Sequence, residues 1–273
     1  MSAKKVYHFV VGALGVLASF IILIPLYYVL INSFKTQPAA AEMSLSFPAE
    51  FRIAENYAEV FERGNILSAF KNSVIISFCS VAAILLFSAM AAYIIQRRGG
   101  KAMSHAWTLV MIGLIIPASM VTTTLFCRAL GLQSQSAVIM VFIATQFPLS
   151  TFIFRGFYGS IPRELDEAAV IDGCGSFSLF FKIILPLLKP VMMTVFILNF
   201  IEIWNNFSIS VYFLSSSQDY VMPLTIYFFF GQYKSSWNLV FADVIIVALP
   251  VIIAYIFAQK HIISGMVSGA VKG

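Results

Sequence analysis

The sequence reads as an all-α, polytopic membrane protein with six transmembrane helices and a cytoplasmic helix–turn–helix loop between the fourth and the fifth. Three observations lead there: the composition, the spacing of long apolar runs, and an uneven distribution of Lys and Arg. Hydrophobic residues fill 60% of the 273 positions and charged ones only 11%, against about 45–50% and about 25% in a soluble domain. So little charge cannot dress the surface of a water-soluble core, and the mean hydropathy of +0.91 agrees. Cys79, Cys127 and Cys174 are odd in number and show no CxxC spacing, which argues against a disulfide framework or a zinc site. His8, His105 and His261 stand alone beside apolar segments and read as interface anchors rather than ligands.

A spanning helix needs about 20 mainly apolar residues. Six stretches qualify: 7–32, 70–95, 106–126, 137–154, 191–214 and 239–258, so that 1–273 forms one transmembrane domain. The first begins after Lys4 and Lys5, outruns a signal peptide and lacks a small-residue cleavage site, so it is expected to be retained. Pro25, Pro117, Pro148 and Pro250 fall inside four of the spans, where they read as kinks.

Orientation follows the placement of Lys and Arg. With the N-terminus inside, Lys4, Lys5, Arg97, Arg98, Lys101, Arg155, Arg163, Lys182, Lys189, Lys260 and Lys272 are cytoplasmic. Lys35, Arg52, Arg63, Lys71, Arg128 and Lys234 lie outside, offset by Glu42, Glu50, Glu55, Glu59, Glu62 and Asp219. The net charge of +5 is therefore a topology signal and not a nucleic-acid footprint, and both termini are expected in the cytoplasm. The longest outer connection, 33–69, contains a surface-lying amphipathic segment in which Tyr57 and Phe61 are spaced i, i+4 beside Glu55, Glu59 and Glu62.

The longest inner connection, 155–190, parses as two helices and a hinge. Ser160 can cap a helix with Pro162 near its start, and Glu164, Asp166 and Glu167 load its first turns with the charge that the helix dipole favours. Gly173 suits the left-handed position that ends a helix, and Gly175 keeps the turn tight. Ser176 can cap a second helix carrying a stripe of Phe177, Phe180, Phe181, Ile184, Leu185 and Leu188; Pro186 and Pro190 mark a bend into the fifth span. The first helix would present acids and alanines to the cytosol while the second anchors it. Periodicity leaves two readings open, a docking knob for a partner or an amphipathic loop lying on the bilayer.

Glu167-Ala168-Ala169, Gly173, Ile183 and Leu185-Pro186 fall at the spacing of the EAA loop, and the module resembles that loop of ATP-binding-cassette importer permeases. "FPLSTFIFRGFYGSIPRELDEAAVIDG", "EIWNNFSISVYFL" and "GMVSGAVKG" are similar to the second permease subunit of carbohydrate-uptake transporters of the maltose type. The likeness covers the chain from Gly131 onward; the first third matches only in span layout, and Cys174 departs from the alanine expected there. The resemblance implies a prokaryotic cytoplasmic membrane and a sugar importer built with a second permease, two copies of a cytoplasmic ATPase and an extracytoplasmic sugar-binding protein. It implies that Glu167, Ala168, Ala169, Asp172, Gly173, Ile183, Leu185 and Pro186 couple the chain to that ATPase, which uses the ATP and Mg. This chain has no GxxxxGK[ST] stretch, so it would bind no cofactor and hydrolyse nothing itself. The tail 259–273 would be a second contact with the ATPases.

The fifth span is polar for a membrane segment, with Asn199, Glu202, Asn205, Asn206, Ser208 and Ser210. At about 100° per residue, Asn199, Glu202, Asn206 and Ser210 share one face, with Trp204 on another. These residues read either as a translocation path, in which amides bond sugar hydroxyls and Trp204 stacks on a ring, or as interhelical glue. Asp243 reads as a structural pair with Lys234 or Arg128, or as a gate. Thr122, Thr123 and Thr124 either add hydroxyls to the path or bond the backbone. The same architecture could carry a polyamine or an amino acid. A self-powered secondary transporter using Glu202 and Asp243 would leave the Glu167–Pro186 spacing unexplained.

Overall fold

The computed structural model describes residues 3–231 and 235–270, and among them every regular element is helical. The helices are α1 (Ala3–Ser33), α2 (Gln37–Ala41), α3 (Ile53–Arg63), α4 (Ile66–Arg97), α5 (Lys101–Ile115), α6 (Met120–Ala129), α7 (Ser134–Tyr158), α8 (Glu164–Ile171), α9 (Ser176–Leu187), α10 (Lys189–Asn205), α11 (Phe207–Phe213) and α12 (Trp237–Ala270). A 3₁₀ segment, Met222–Phe228, precedes α12. Val10–Ser33, Ile66–Arg97, Ser134–Tyr158 and Trp237–Phe257 are each long and apolar enough to cross a membrane, and α9 with α10 forms a further apolar pair bent by 78°.

Two of the expected spans are interrupted. The stretch 106–126 is not one helix: α5 stops at Ile115 and α6 starts at Met120. Pro117 has no N–H to give the ladder, and its ring pushes the preceding residue out of the helical region; Ile116 accordingly sits at ψ 116°. Pro25, Pro148 and Pro250, by contrast, stay inside their helices. The stretch 191–214 divides at Asn206, which leaves the helix at ψ 104° and caps α11 by accepting 2.8 Å from the Ile209 N–H. At the other end the helix overruns expectation, since α12 takes in the predicted tail as far as Ala270; residues 271–273 lie outside the described set.

The chain falls into two compact units, Met1–Leu67 with Thr225–Pro250, and Ser68–Leu224 with Val251–Gly273. In the first, α3 is pinned by a buried asparagine. Asn56 donates to the Ser33 and Lys35 carbonyls at 2.8 and 2.9 Å, and its own oxygen accepts from Asn238 Nδ2 at 2.8 Å. The buried side of α3 is therefore Asn56 and Val60, while Phe61 of the expected Tyr57–Phe61 pair is 48% exposed. Lys35 is buried too, its ammonium held by the carbonyl and hydroxyl of Ser44 at 2.8 and 3.1 Å.

The core of the second unit gathers where α4, α7, α9 and α10 meet. Ala89 and Ala92 of α4, Phe154 and Tyr158 of α7, Leu179, Phe180 and Ile184 of α9, Leu188, and Val191 and Val195 of α10 are all buried in one cluster. Tyr158 satisfies its hydroxyl inside that cluster by donating to the Ala89 carbonyl at 3.1 Å. Burying each large apolar side chain is worth about 1.5–3 kcal/mol, so the connection between α7 and α10 is packed down and not left loose.

Candidate functional site

The α8–α9 elbow joins α8 to α9 through a left-handed glycine and carries a π-helical stretch. Its entry differs from expectation: α8 begins at Glu164 with Arg163 at its N-cap, and no side chain caps it. Ser160 instead turns back and donates to the Phe157 carbonyl at 2.7 Å, because the last turn of α7 leaves carbonyls in need of donors. Glu164, Asp166 and Glu167 do occupy the first turn of α8, where the dipole stabilises acids.

Asp166 has a second role that spacing along the chain conceals. It is held from two sides: Tyr93 donates its hydroxyl at 2.8 Å, and Arg97 places Nη2 2.8 Å from the other carboxylate oxygen. The same Arg97 nitrogen reaches the carbonyls of Ile161 and Pro162 at 3.1 and 3.3 Å. The Arg97 and Asp166 side chains are only 12% and 16% exposed, so this latch lies between a surface pair worth about 0–1 kcal/mol and a buried one costing about 3–5 kcal/mol to break. It ties the start of α8 to the end of α4.

At the far end of α8 the glycine behaves as anticipated. Gly173 sits at φ +79°, Cys174 N–H donates to Ala169 O at 2.9 Å and Gly173 N–H to Val170 O at 3.0 Å. That is the paired bonding of a Schellman turn, which needs a left-handed residue. The alanines divide. Ala168 and Glu167 are exposed, but Ala169 is 4% exposed and belongs to the core cluster, so it is not presented outward as expected. Asp172 is exposed and supplies the C-cap backbone. Val170 and Ile171 stand out at 62% and 85%.

Ser176 starts α9 without capping it; the N-cap is Gly175 and no side chain bonds there. Leu179–Ile184 winds as a π-helix. The wider i→i+5 turn rotates the anchoring face relative to a regular helix. Leu179, Phe180, Ile184 and Leu188 are buried, whereas Phe177 and Phe181 of the expected stripe are exposed at 74% and 43%. Ile183 and Leu185 are half-buried against the cluster, and Pro186 is exposed just before the bend.

The polar residues of the fifth segment separate into two kinds. Asn199 is buried and donates to Ser150 Oγ on α7 at 3.0 Å and to the Val195 carbonyl at 2.8 Å. Ser210 is buried and bonds the Asn206 carbonyl at 2.9 Å. Glu202 and Asn205 are exposed, and Asn206 Nδ2 reaches Glu202 Oε1 at 3.2 Å. Trp204 is 2% exposed, wedged between the rings of Phe70 and Phe200 at 5.7 and 5.5 Å, so the indole does not face open space. Thr123 and Thr124 bond the carbonyls four residues back, and Thr122 meets the Ser119 hydroxyl. Asp243 is 1% exposed and is met by the Thr225 hydroxyl at 2.8 and 3.0 Å, with no ion pair among the described residues; Lys234 lies outside them. Among the described residues no three His, Cys, Asp or Glu side chains gather to hold a metal ion.

Long apolar helices joined by a packed, acid-bearing elbow define a polytopic membrane protein. Residues 84–266 match the family described as binding-protein-dependent transport system inner membrane components, and the chain belongs to that family, the non-catalytic permease subunits of ATP-binding-cassette importers. It is 33% identical, over all of both chains, to the probable starch degradation products transport system permease protein of Thermoanaerobacterium thermosulfurigenes. It is 34% identical to the melibiose/raffinose/stachyose import permease protein of Bacillus subtilis, over 92% of this chain and 91% of that one. The fold matches, with a TM-score of 0.82 at 20% identity, a crystal structure of a bacterial ABC transporter involved in the import of the acidic polysaccharide alginate, covering 95% of this chain and 98% of that one.

Proposed function

We propose that this permease imports an uncharged oligosaccharide across the cytoplasmic membrane of a prokaryote, with its elbow in the cytoplasm as the coupling loop. The observation that carries the cargo is the naming of its relatives for starch products and for melibiose, raffinose and stachyose at 33% and 34% identity over nearly the whole chain. The chain crosses six times, the interrupted pairs α5–α6 and α10–α11 each serving as one crossing, with both termini inside. A second permease completes the path, two ATPase subunits supply the work of ATP and Mg, and an extracytoplasmic binding protein delivers the sugar, in keeping with a binding-protein-dependent family.

The elbow suits coupling because its two sides differ. Ala169, Leu179, Phe180, Ile184 and Leu188 fasten the underside, while Glu167, Ala168, Val170 and Ile171 form an outward edge. Exposed Glu167 offers a charge-assisted bond to a cation on the ATPase, and Ala168 lets that surface approach. Glu202, Asn205, Asn206 and Ser208 are polar groups of α10–α11 open enough to meet cargo; Asn199 ties α10 to α7, and Ser210 bonds back to the Asn206 carbonyl.

The test is the reconstituted complex. Sugar uptake into liposomes should require ATP and the binding protein, and Glu167→Lys should abolish sugar-stimulated ATP hydrolysis while the protein still inserts. Uptake by this chain without the ATPase would overturn the reading.

A further inference from the structure

A cavity of about 430 Å³ opens where the end of α6, the start of α7 and the segment after α11 meet. Pockets for small ligands typically run about 300–1,000 Å³. Its lining mixes kinds: Arg128, Gln133, Ser134, Tyr212, Ser216 and Asp219. The neighbouring cavity lined by α5, α6 and α7 is by contrast mainly apolar, with Leu114, Ile116, Phe126 and Leu130 beside the hydroxyls of Thr123 and Thr145.

The polar cavity is built and not incidental. Asn72, itself buried, donates to the Gln218 and Tyr220 carbonyls at 2.9 and 3.0 Å, which clamps the backbone on both sides of Asp219. Ser134 sits at φ +51°, a costly conformation for a residue with a β-carbon, and its hydroxyl reaches Asp219 Oδ2 at 2.9 Å. The Asp219 N–H is closed onto the Ser216 carbonyl at 3.0 Å. Among the described residues no side chain pairs with the other carboxylate oxygen, which is left to accept from a ligand. The Arg128 guanidinium has no ion pair or side-chain hydrogen bond among the described residues, and Tyr212 is 45% exposed.

We propose that this cavity is a landing subsite for a sugar ring of the cargo, on this subunit rather than on its partner permease. A cation would meet Arg128 and an anion would meet Asp219, so the paired charges favour a neutral ligand rich in hydroxyls. Arg128 offers donors in a fork, Asp219 accepts, Gln133 does both, and Tyr212 gives one flat apolar face for a pyranose to lie on. The inference rests on the sugar-import reading and on α6–α7 facing outward.

The experiment uses the full complex with its binding protein in proteoliposomes, supplied with the oligosaccharide that the unmutated complex transports. Tyr212→Ala and Asp219→Asn should each raise the KM for that sugar ~10-fold with a much smaller fall in the saturated rate, the mark of lost ground-state binding, while Tyr212→Phe keeps the wild-type KM. If Tyr212→Ala fails to assemble, Arg128→Gln and Asp219→Asn carry the test. An unchanged KM in these variants overturns the proposal. So does equal weakening of docking by sugar-free and sugar-loaded binding protein, which would make the cavity a protein contact. Failure of the unmutated complex to move any sugar would sink the import reading itself, and it shows before any variant is made.

Discussion

The elbow and the α10–α11 segment each break a helix, and they break it by different means. In the elbow, Gly173 turns the chain at φ +79° and a buried cluster backs the turn. At Asn206, a single side chain caps the new helix by bonding Ile209 N–H, with exposed Glu202 beside it. A turn backed by packed side chains moves as one body with the helices beneath it, because interiors resist deformation. A turn held by one cap is a local joint. The first suits the proposed lever, the second a joint in the proposed path.

The largest effect should come from removing the lever's hinge. Gly173→Pro fixes φ near −65° and deletes the N–H that bonds Val170, a local cost of ~3 kcal/mol or more; sugar-stimulated ATP hydrolysis should vanish while membrane insertion, read by fractionation, persists. Next is the latch. Asp166→Ala strands Arg97 and Tyr93 with a loss of ~1–3 kcal/mol, read as a lower unfolding temperature and weaker coupling of ATP hydrolysis to uptake. The Arg97→Asp/Asp166→Arg double swap should recover part of both, and no recovery would mean that the latch is mere packing. Asn206→Ala removes a cap for ~1 kcal/mol, and Asn206→Asp should retain most of it, measured by thermal unfolding in detergent. The smallest change is Asn199→Val, which loses an interhelical bond worth ~0.6 kcal/mol in a membrane. The range of sugars carried should stay the same, and a shifted range would put Asn199 back on the path.

Patterns local to the chain were readable before folding. Gly173 ends α8 because a left-handed residue is needed within four positions of the carbonyls it serves, and such a requirement is written in adjacent residues. The acids of α8 sit in its first turn for the same reason. Among the inferences that failed were those that assumed an unbroken, regular helix. The Phe177–Leu188 stripe lost Phe177 and Phe181 once Leu179–Ile184 wound as a π-helix, and the Asn199–Ser210 face was divided by the cap at Asn206. Pro117 stopped a helix where Pro25, Pro148 and Pro250 did not, and a proline's context, not its presence, settles that.

The latch lay beyond any local pattern. Tyr93 and Asp166 are 73 positions apart, and Arg97 reaches backbone carbonyls at Ile161 and Pro162. In the chain, Asp166 is one of three acids with nothing to set it apart; only packing α8 against α4 turns it inward and leaves Glu167 out. By itself the sequence determined the membrane setting, the positions of the apolar helices and the glycine hinge, since those follow from solvent preference and short-range backbone geometry. Which acid anchors, which alanine is covered and where helices divide were left to the tertiary structure, because each depends on neighbours that folding alone brings within bonding distance.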